Sequence, residues 1–483
     1  MNATVIALKL LVALIVLTSS PLILKRRWRL FLAVPLSVFQ AFIPGSQVAG
    51  VPIPLAFWGG LMLWPELVTE FKALIQWKPT ACVFGITVLY AVSLLWSPDR
   101  KLGLQPIGYF AEFLVIFAAV VTEGRRDERL VLRLLKVTMA MALVEAALVV
   151  VGRLFPGVKL SLLLHPIARL FLSANIIDNL FSGNFNGVMD PAKSGGFFID
   201  ANVASTFLGV SACTAFGLAL HLRRQWVAAI GAALLGAVAF AGSKAGLMLA
   251  AALPILMLHF ISLRYRGWRN RLRMAMVAIV LVGTAAWFGP KAILIGDTGT
   301  YRALSAFVQR SDMTFAAREL IWAYGAQAFM EHPIKGQGFG GWQDEFPKYA
   351  HKVGIQDDLP PHNTIIYLWS QGGTLAALLG LGFIFQVLKL GVRQMGERFA
   401  AAFGLNLAMT AAFLWTFVGG MGQNYGLLGE AHMSPLLATL LALGYLHRRA
   451  LSLPTKDDSI VVVGEPYGES AAVGARYTTG SLP

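Results

Sequence analysis

The sequence predicts an all-α, polytopic membrane protein: about twelve to thirteen transmembrane helices, with one large loop on the outer side of the bilayer. Three observations predict it. Apolar residues make up 57% of the 483-residue chain and charged residues only 13%, with a mean hydropathy of +0.65. A soluble domain carries about 25% charged residues, so half the surface charge such a fold needs is missing. Apolar runs long enough to cross a hydrocarbon core, roughly 17 residues or more, recur along most of the chain. Basic residues concentrate between alternate runs, as the cytoplasmic loops of a polytopic protein require.

Residues 1–152 form an N-terminal block with runs at 5–22, 29–45, 51–68, 80–96, 107–122 and 131–152. The first run has no Ala-x-Ala cleavage site, and its cluster Lys25-Arg26-Arg27 follows it. That order predicts a membrane anchor with its N-terminus outside. Residues 153–200 are too polar to span and fall outside; their amphipathic stretch Leu160–Leu180, interrupted by Pro166, suits the membrane surface. A central block, 201–289, has runs at 201–221, 225–241, 244–262 and 273–289. Residues 290–362 make the large outer loop, whose aromatic and Gly/Pro punctuation predicts order. The last block, 363–449, has runs at 364–390, 399–420 and 432–447, and the Ser-, Thr-, Gly- and Pro-rich tail 450–483 reads as a disordered cytoplasmic extension.

Charge tests this topology. With the N-terminus outside, 25 of the 40 Lys and Arg lie in inner loops or at adjoining span ends. The C-terminus is then cytoplasmic. These loops account for the net charge of +15, so nucleic acid is not an expected partner. Cys82 and Cys213 both lie in apolar runs, which leaves no disulfide framework or CxxC site.

Polar residues that could do chemistry gather on the expected outer face. The large loop carries Arg302, Arg310 and Arg318, the last opening Arg318-Glu-Leu-Ile-Trp322. Guanidinium groups bind phosphate oxygens bidentately and stay charged, so three of them suit an anionic ligand at the bilayer surface. Pairing with Asp312, Glu319 and Glu331 is the alternative, since the loop has seven basic and eight acidic residues. The run Gly336-Gln-Gly338-Phe-Gly340-Gly341 matches GxGxxG formally. No strand precedes it and no acidic residue follows at the expected distance, so it reads as a tight turn or a close backbone approach to ligand. The loop closes on Pro360-Pro361-His362-Asn363: a histidine able to exchange a proton near neutral pH, then a natural helix N-cap.

Further candidates are Lys244 in Gly242-Ser-Lys-Ala-Gly246, Asp200 and Asn202 after Gly195, Glu430 and His432 before the last run, and Glu145 in mid-span. A charge inside the membrane needs a partner or a ligand, and for Glu145 a polar helix–helix contact serves equally. There is no GxxxxGK[ST], HExxH or GxSxG motif, and no DxD in an outer loop. No metal or nucleotide cofactor is expected.

Taken in order, Gly-Phe-Phe-x-Asp-x-Asn202, Ser243-Lys-Ala-Gly246, Arg318-x-x-x-Trp322, His332-Pro-Ile-x-Gly-x-Gly338, His362-Asn363 and Gly372-Gly373 resemble the O-antigen ligase-like family, which includes polysaccharide polymerases. The resemblance runs from roughly Gly195 to Gly373. It implies a GT-C-like, metal- and ATP-independent glycosyltransferase in the bacterial inner membrane. Such an enzyme passes a glycan from undecaprenyl diphosphate to a glycan or lipid A-core acceptor at the periplasmic face, in contact with membrane lipid and within reach of a polysaccharide assembly complex. Arg318 matches the arginine expected to hold the diphosphate, and His362 the histidine assigned to the acceptor hydroxyl or the diphosphate. Lys244 stands where the family usually has arginine, which keeps the charge and loses the fork. Arg302, Arg310, Asp200, Asn202, Gly338, Trp322 and Asn363 complete the expected binding set, with Trp342 and Tyr349 as further aromatics for sugar rings. A flippase for the same lipid-linked glycans, or a non-catalytic assembly subunit, are the competing readings; a flippase would carry more charge within its spans.

Overall fold

The computed structural model describes residues 26–39, 42–48, 51–61, 67–68, 71, 74–165, 190, 193–265, 313–395, 402–423, 426–429 and 432–450. Of the expected features, the runs 5–22 and 273–289, the tail from 451, Glu430, Arg302 and Arg310 lie outside these residues.

The described chain is nearly all helical. In order come α1 (Arg26–Ala33), a 3-10 turn (Pro35–Phe39), strands β1 (Phe42–Val48) and β2 (Val51–Pro54), and α2 (Leu55–Leu61). Next are α3 (Lys78–Ser93), α4 (Arg100–Gly124), α5 (Glu128–Leu154), α6 (Pro156–Leu164) and a 3-10 turn (Gly196–Phe198). Then follow α7 (Ala201–Leu222), α8 (Gln225–Ala241), α9 (Lys244–Arg264), α10 (Met313–Glu331), α11 (Gly341–Val353), α12 (Thr364–Gln394), α13 (Phe403–Gly420) and α14 (Ser434–Ala450).

Six helices among the described residues are long and apolar enough to cross a membrane: Arg100–Gly124, Arg129–Leu154, Ala201–Leu222, Lys244–Arg264, Thr364–Gln394 and Phe403–Gly420. Apolar helices at Trp28–Phe39, Lys78–Ser93 and Gln225–Ala241 are shorter. The chain is a multi-pass membrane protein.

One region departs from the all-α expectation. Where runs 29–45 and 51–68 predicted two spans, the chain forms short helices and an antiparallel hairpin, with Val48 opposite Val51 and Phe42 opposite Pro54. Pro35, Pro44, Pro52 and Pro54 explain the difference. Each lacks the amide a helix interior needs and pushes its predecessor to extended backbone. Hydropathy alone registers none of this.

Helix α7 is the hub, buried along nearly its whole length and packed against α8 and α13. Small residues permit that approach: a Cβ on Gly209 would overlap the Trp415 ring, and one on Gly217 would overlap the Gly404 carbonyl. Helix α12 shows the opposite character. Leu375, Leu378, Leu381, Phe385 and Val392 stand exposed along it, with Phe385 at 59%, and such a greasy stripe belongs against lipid.

Helix α12 is also broken. Gly373 has φ 79° and ψ −179°, a conformation no L side chain holds comfortably. The carbonyls and amides freed by the break are taken up by the loop between α10 and α11. Gln337 and Gly338 N–H both donate to Ser370 O at 2.9 Å, and Thr374 N–H donates to Ile334 O at 3.1 Å. The Thr374 hydroxyl donates to Pro333 O. Broken helices survive at membrane depth only where the freed groups find partners, and the glycine-rich loop supplies them.

Candidate active site where three helices begin

Helices α7, α9 and α12 each start on a polar cap. Asp200 Oδ1 accepts the Asn202 and Val203 N–H groups at 2.6 and 3.1 Å. Ser243 Oγ accepts the Gly246 N–H at 3.3 Å. Asn363 Oδ1 accepts the Ile365 and Ile366 N–H groups at 2.9 and 3.2 Å. These are ordinary N-caps. The first two are also joined, because the Ser243 hydroxyl donates to Asn202 Oδ1 at 2.8 Å. Asp200 and Asn202, expected in the binding set, thus set the starts of α7 and α9 side by side.

That junction places Lys244, half-buried at the first turn of α9, where two cations, Lys193 and Arg318, act on it. Arg318 lies in α10 and also acts on His362. His362 is half-buried at φ 47°, a rare conformation for a residue other than glycine. Burial first, and Arg318 second, push its imidazole down to about 4, so it is neutral in the resting protein. The structure therefore brings together Arg318, Lys244 and His362 and adds Lys193, which the sequence reading did not single out. Its signal was present: a cation two residues before the Gly195-Gly196 turn. Helix N-termini carry partial positive charge, so the starts of α9 and α12 reinforce the side chains.

Trp322 sits four residues beyond Arg318, on the same helical face. Its indole N–H is buried without an acceptor among the described residues. Trp342 differs: it is 1% exposed, donates to Leu359 O at 3.0 Å and stacks on Phe346 with centroids 5.4 Å apart. Trp342 builds the core of the loop, with Tyr324 edge-on to it and Tyr349 against Tyr324. Gly338 also supports the loop: its amide donates to Ser370 O, and a Cβ there would press on Ser97.

Among the described residues, one group could hold a cation: Glu331, His332 and Glu345, with ligand atoms within 4.8 Å of one another. Gln337 donates to Glu345 at 2.5 Å and Gln327 to Glu331 at 3.1 Å. The group lies open to solvent and serves equally as a loop hydrogen-bond cluster.

No curated protein matches the chain. Residues 229–381, the stretch that holds Lys244, Arg318, the break in α12 and His362-Asn363, match the family model for O-antigen ligase, and over this stretch the chain is similar to that family.

Proposed function

We propose that this protein transfers a glycan from an undecaprenyl diphosphate carrier to a sugar hydroxyl at the periplasmic face of a bacterial inner membrane. The reading is supported by one observation: Lys193 and Arg318 both act on Lys244 at the start of α9, and Arg318 also acts on the neutral His362. Clustered positive charge attracts an anion. A diphosphate carries the matching charge and brings its glycan to the membrane surface on a lipid tail.

In the reaction, the acceptor hydroxyl oxygen bonds to the anomeric carbon as the bond from that carbon to the diphosphate oxygen breaks. The bonding pair leaves with the diphosphate, and the hydroxyl proton passes to His362. Negative charge grows on the leaving group while the sugar becomes oxocarbenium-like. Cations fixed where that charge develops stabilise the transition state more than the ground state. The bound diphosphate also offsets the field of Arg318 at His362, so donor binding raises the proton affinity of the base. Breaking the sugar–diphosphate bond drives transfer without a nucleotide.

The test is transfer in vitro from an undecaprenyl-diphosphate oligosaccharide, with lipid A-core or a second lipid-linked unit as acceptor. Wild type should form product, and Arg318→Ala and His362→Ala should each lose about 100-fold or more at equal folded yield. The acceptor used separates ligase from polymerase. Transport of the donor without any product would overturn the reading in favour of a flippase.

A further inference from the structure

Glu145 takes no part in the proposed transfer, yet its carboxylate is wholly buried in the middle of α5. A charge-bearing group at that depth needs specific partners. It has them in a turn far along the chain: Glu145 Oε2 accepts the Phe197 N–H at 2.9 Å, and the Phe198 N–H also acts on the carboxylate. Both amides belong to the 3-10 turn Gly196–Phe198. That turn is an unusual piece of backbone, with φ 54° at Gly196 and 63° at Ile199. A Cβ on Gly196 would overlap the Glu145 carboxylate, so the carboxylate reaches the turn only because residue 196 is glycine.

The side chains of the turn are held as firmly as its amides. Phe198 stacks on His432 with centroids 4.3 Å apart and meets Phe207 edge-on at 4.9 Å. Phe197 meets Phe39 edge-on at 5.1 Å. The turn runs directly into Asp200, the cap of α7, and then Asn202, which accepts the Ser243 hydroxyl beside Lys244.

We infer that Glu145 is a positioning residue: it clamps the Gly196–Phe198 turn and, through Asp200 and Asn202, fixes where Ser243 and Lys244 stand in the diphosphate site. The kinetic consequence rests on the proposed function; the clamp does not.

The test compares wild type, Glu145→Ala, Glu145→Gln and Gly196→Ala, each purified full length in lipid nanodiscs. Hydrogen exchange is read on peptides covering the turn, and transfer kinetics are read with the lipid-linked donor. Glu145→Ala should speed exchange in the turn about tenfold and raise the donor KM about tenfold, with kcat changed less than about threefold. Glu145→Gln keeps an acceptor oxygen and should recover both to within about threefold. If Glu145→Ala does not fold, Gly196→Ala should give the same pair of changes by driving a methyl group into the carboxylate. Unchanged exchange overturns the clamp, and faster exchange with an unaltered donor KM overturns the positioning role. A Glu145→Gln variant no better than alanine also overturns it, since charge and not the hydrogen bonds would then be the requirement. If wild type itself transfers nothing, the proposed function fails, and the exchange comparison still decides the clamp.

Discussion

Two regions of this molecule come from the same string of polar and glycine motifs and do opposite things. In the loop from His332 to Gly341, backbone groups close on one another: Gln337 and Gly338 amides fill the break in α12 and Trp342 is sealed into the loop core. At the starts of α9 and α12, side chains of one sign are brought together instead, with Lys193 and Arg318 acting on Lys244, and Arg318 also acting on His362. The first region satisfies itself and builds shape. The second concentrates charge, and under the proposed function it receives the diphosphate. Which motif residues are scaffold and which are chemistry follows from that difference.

The sharpest way to break the comparison is to exchange the expected consequences of two substitutions. Arg318→Ala should cost about 10²–10³-fold in transfer while leaving thermal unfolding nearly unchanged. Gly373→Ala should do the reverse. It forces a side chain into the left-handed region and against the Ile334 carbonyl, destabilising the protein by about 2–4 kcal/mol while the surviving folded molecules keep their activity. Differential scanning fluorimetry beside the transfer assay reads both. A Gly373→Ala protein that is stable but inactive would move the glycine break into the chemistry.

The next effect is on pH dependence. The base must be neutral to accept a proton, so activity falls as pH drops through its pKa. The kcat/KM profile reports free protein and should stay level until close to pH 4, where His362 is held by burial and Arg318. The kcat profile reports the donor complex, in which the diphosphate anion favours the charged imidazole, so its acid limb should lie at higher pH. Coincident limbs would mean that the anion does not bind beside Arg318.

The smallest effect belongs to a cap. Asn363→Ala removes the acceptor for two amides at the start of α12 and should cost about 1 kcal/mol of stability, with transfer reduced only as far as His362 shifts. A loss as large as that of Arg318→Ala would show that Asn363 touches the substrate.

Much of this was legible in the sequence, for identifiable reasons. Long apolar runs such as 201–221 and 364–390 mark their helices because length and hydropathy alone decide them. Arg318 stands out as a guanidinium in the outer loop, His362 as a titratable group at the mouth of a run, and Lys244 as a charge between two apolar runs, where it is costly. Runs 29–45 and 51–68 mislead because prolines at 35, 44, 52 and 54 act on the backbone and leave hydropathy high. The part played by Glu145 depends on a contact across 52 residues, which no local pattern announces. Lys193 gains its meaning only when Asn202 and Ser243 bring α9 beside it. The Gly336–Gly341 run could not be assigned because a ligand-binding turn and a plug for a broken helix demand the same residues.

The most direct test of the central claim is the affinity of the purified, reconstituted protein for undecaprenyl diphosphate, with no sugar attached and no turnover. Wild type should bind tightly, with affinity weakened about tenfold or more by Arg318→Ala and by Lys193→Ala, and inorganic pyrophosphate should compete. Equal affinity in wild type and both variants would contradict the claim, because the three cations would then not be the diphosphate site.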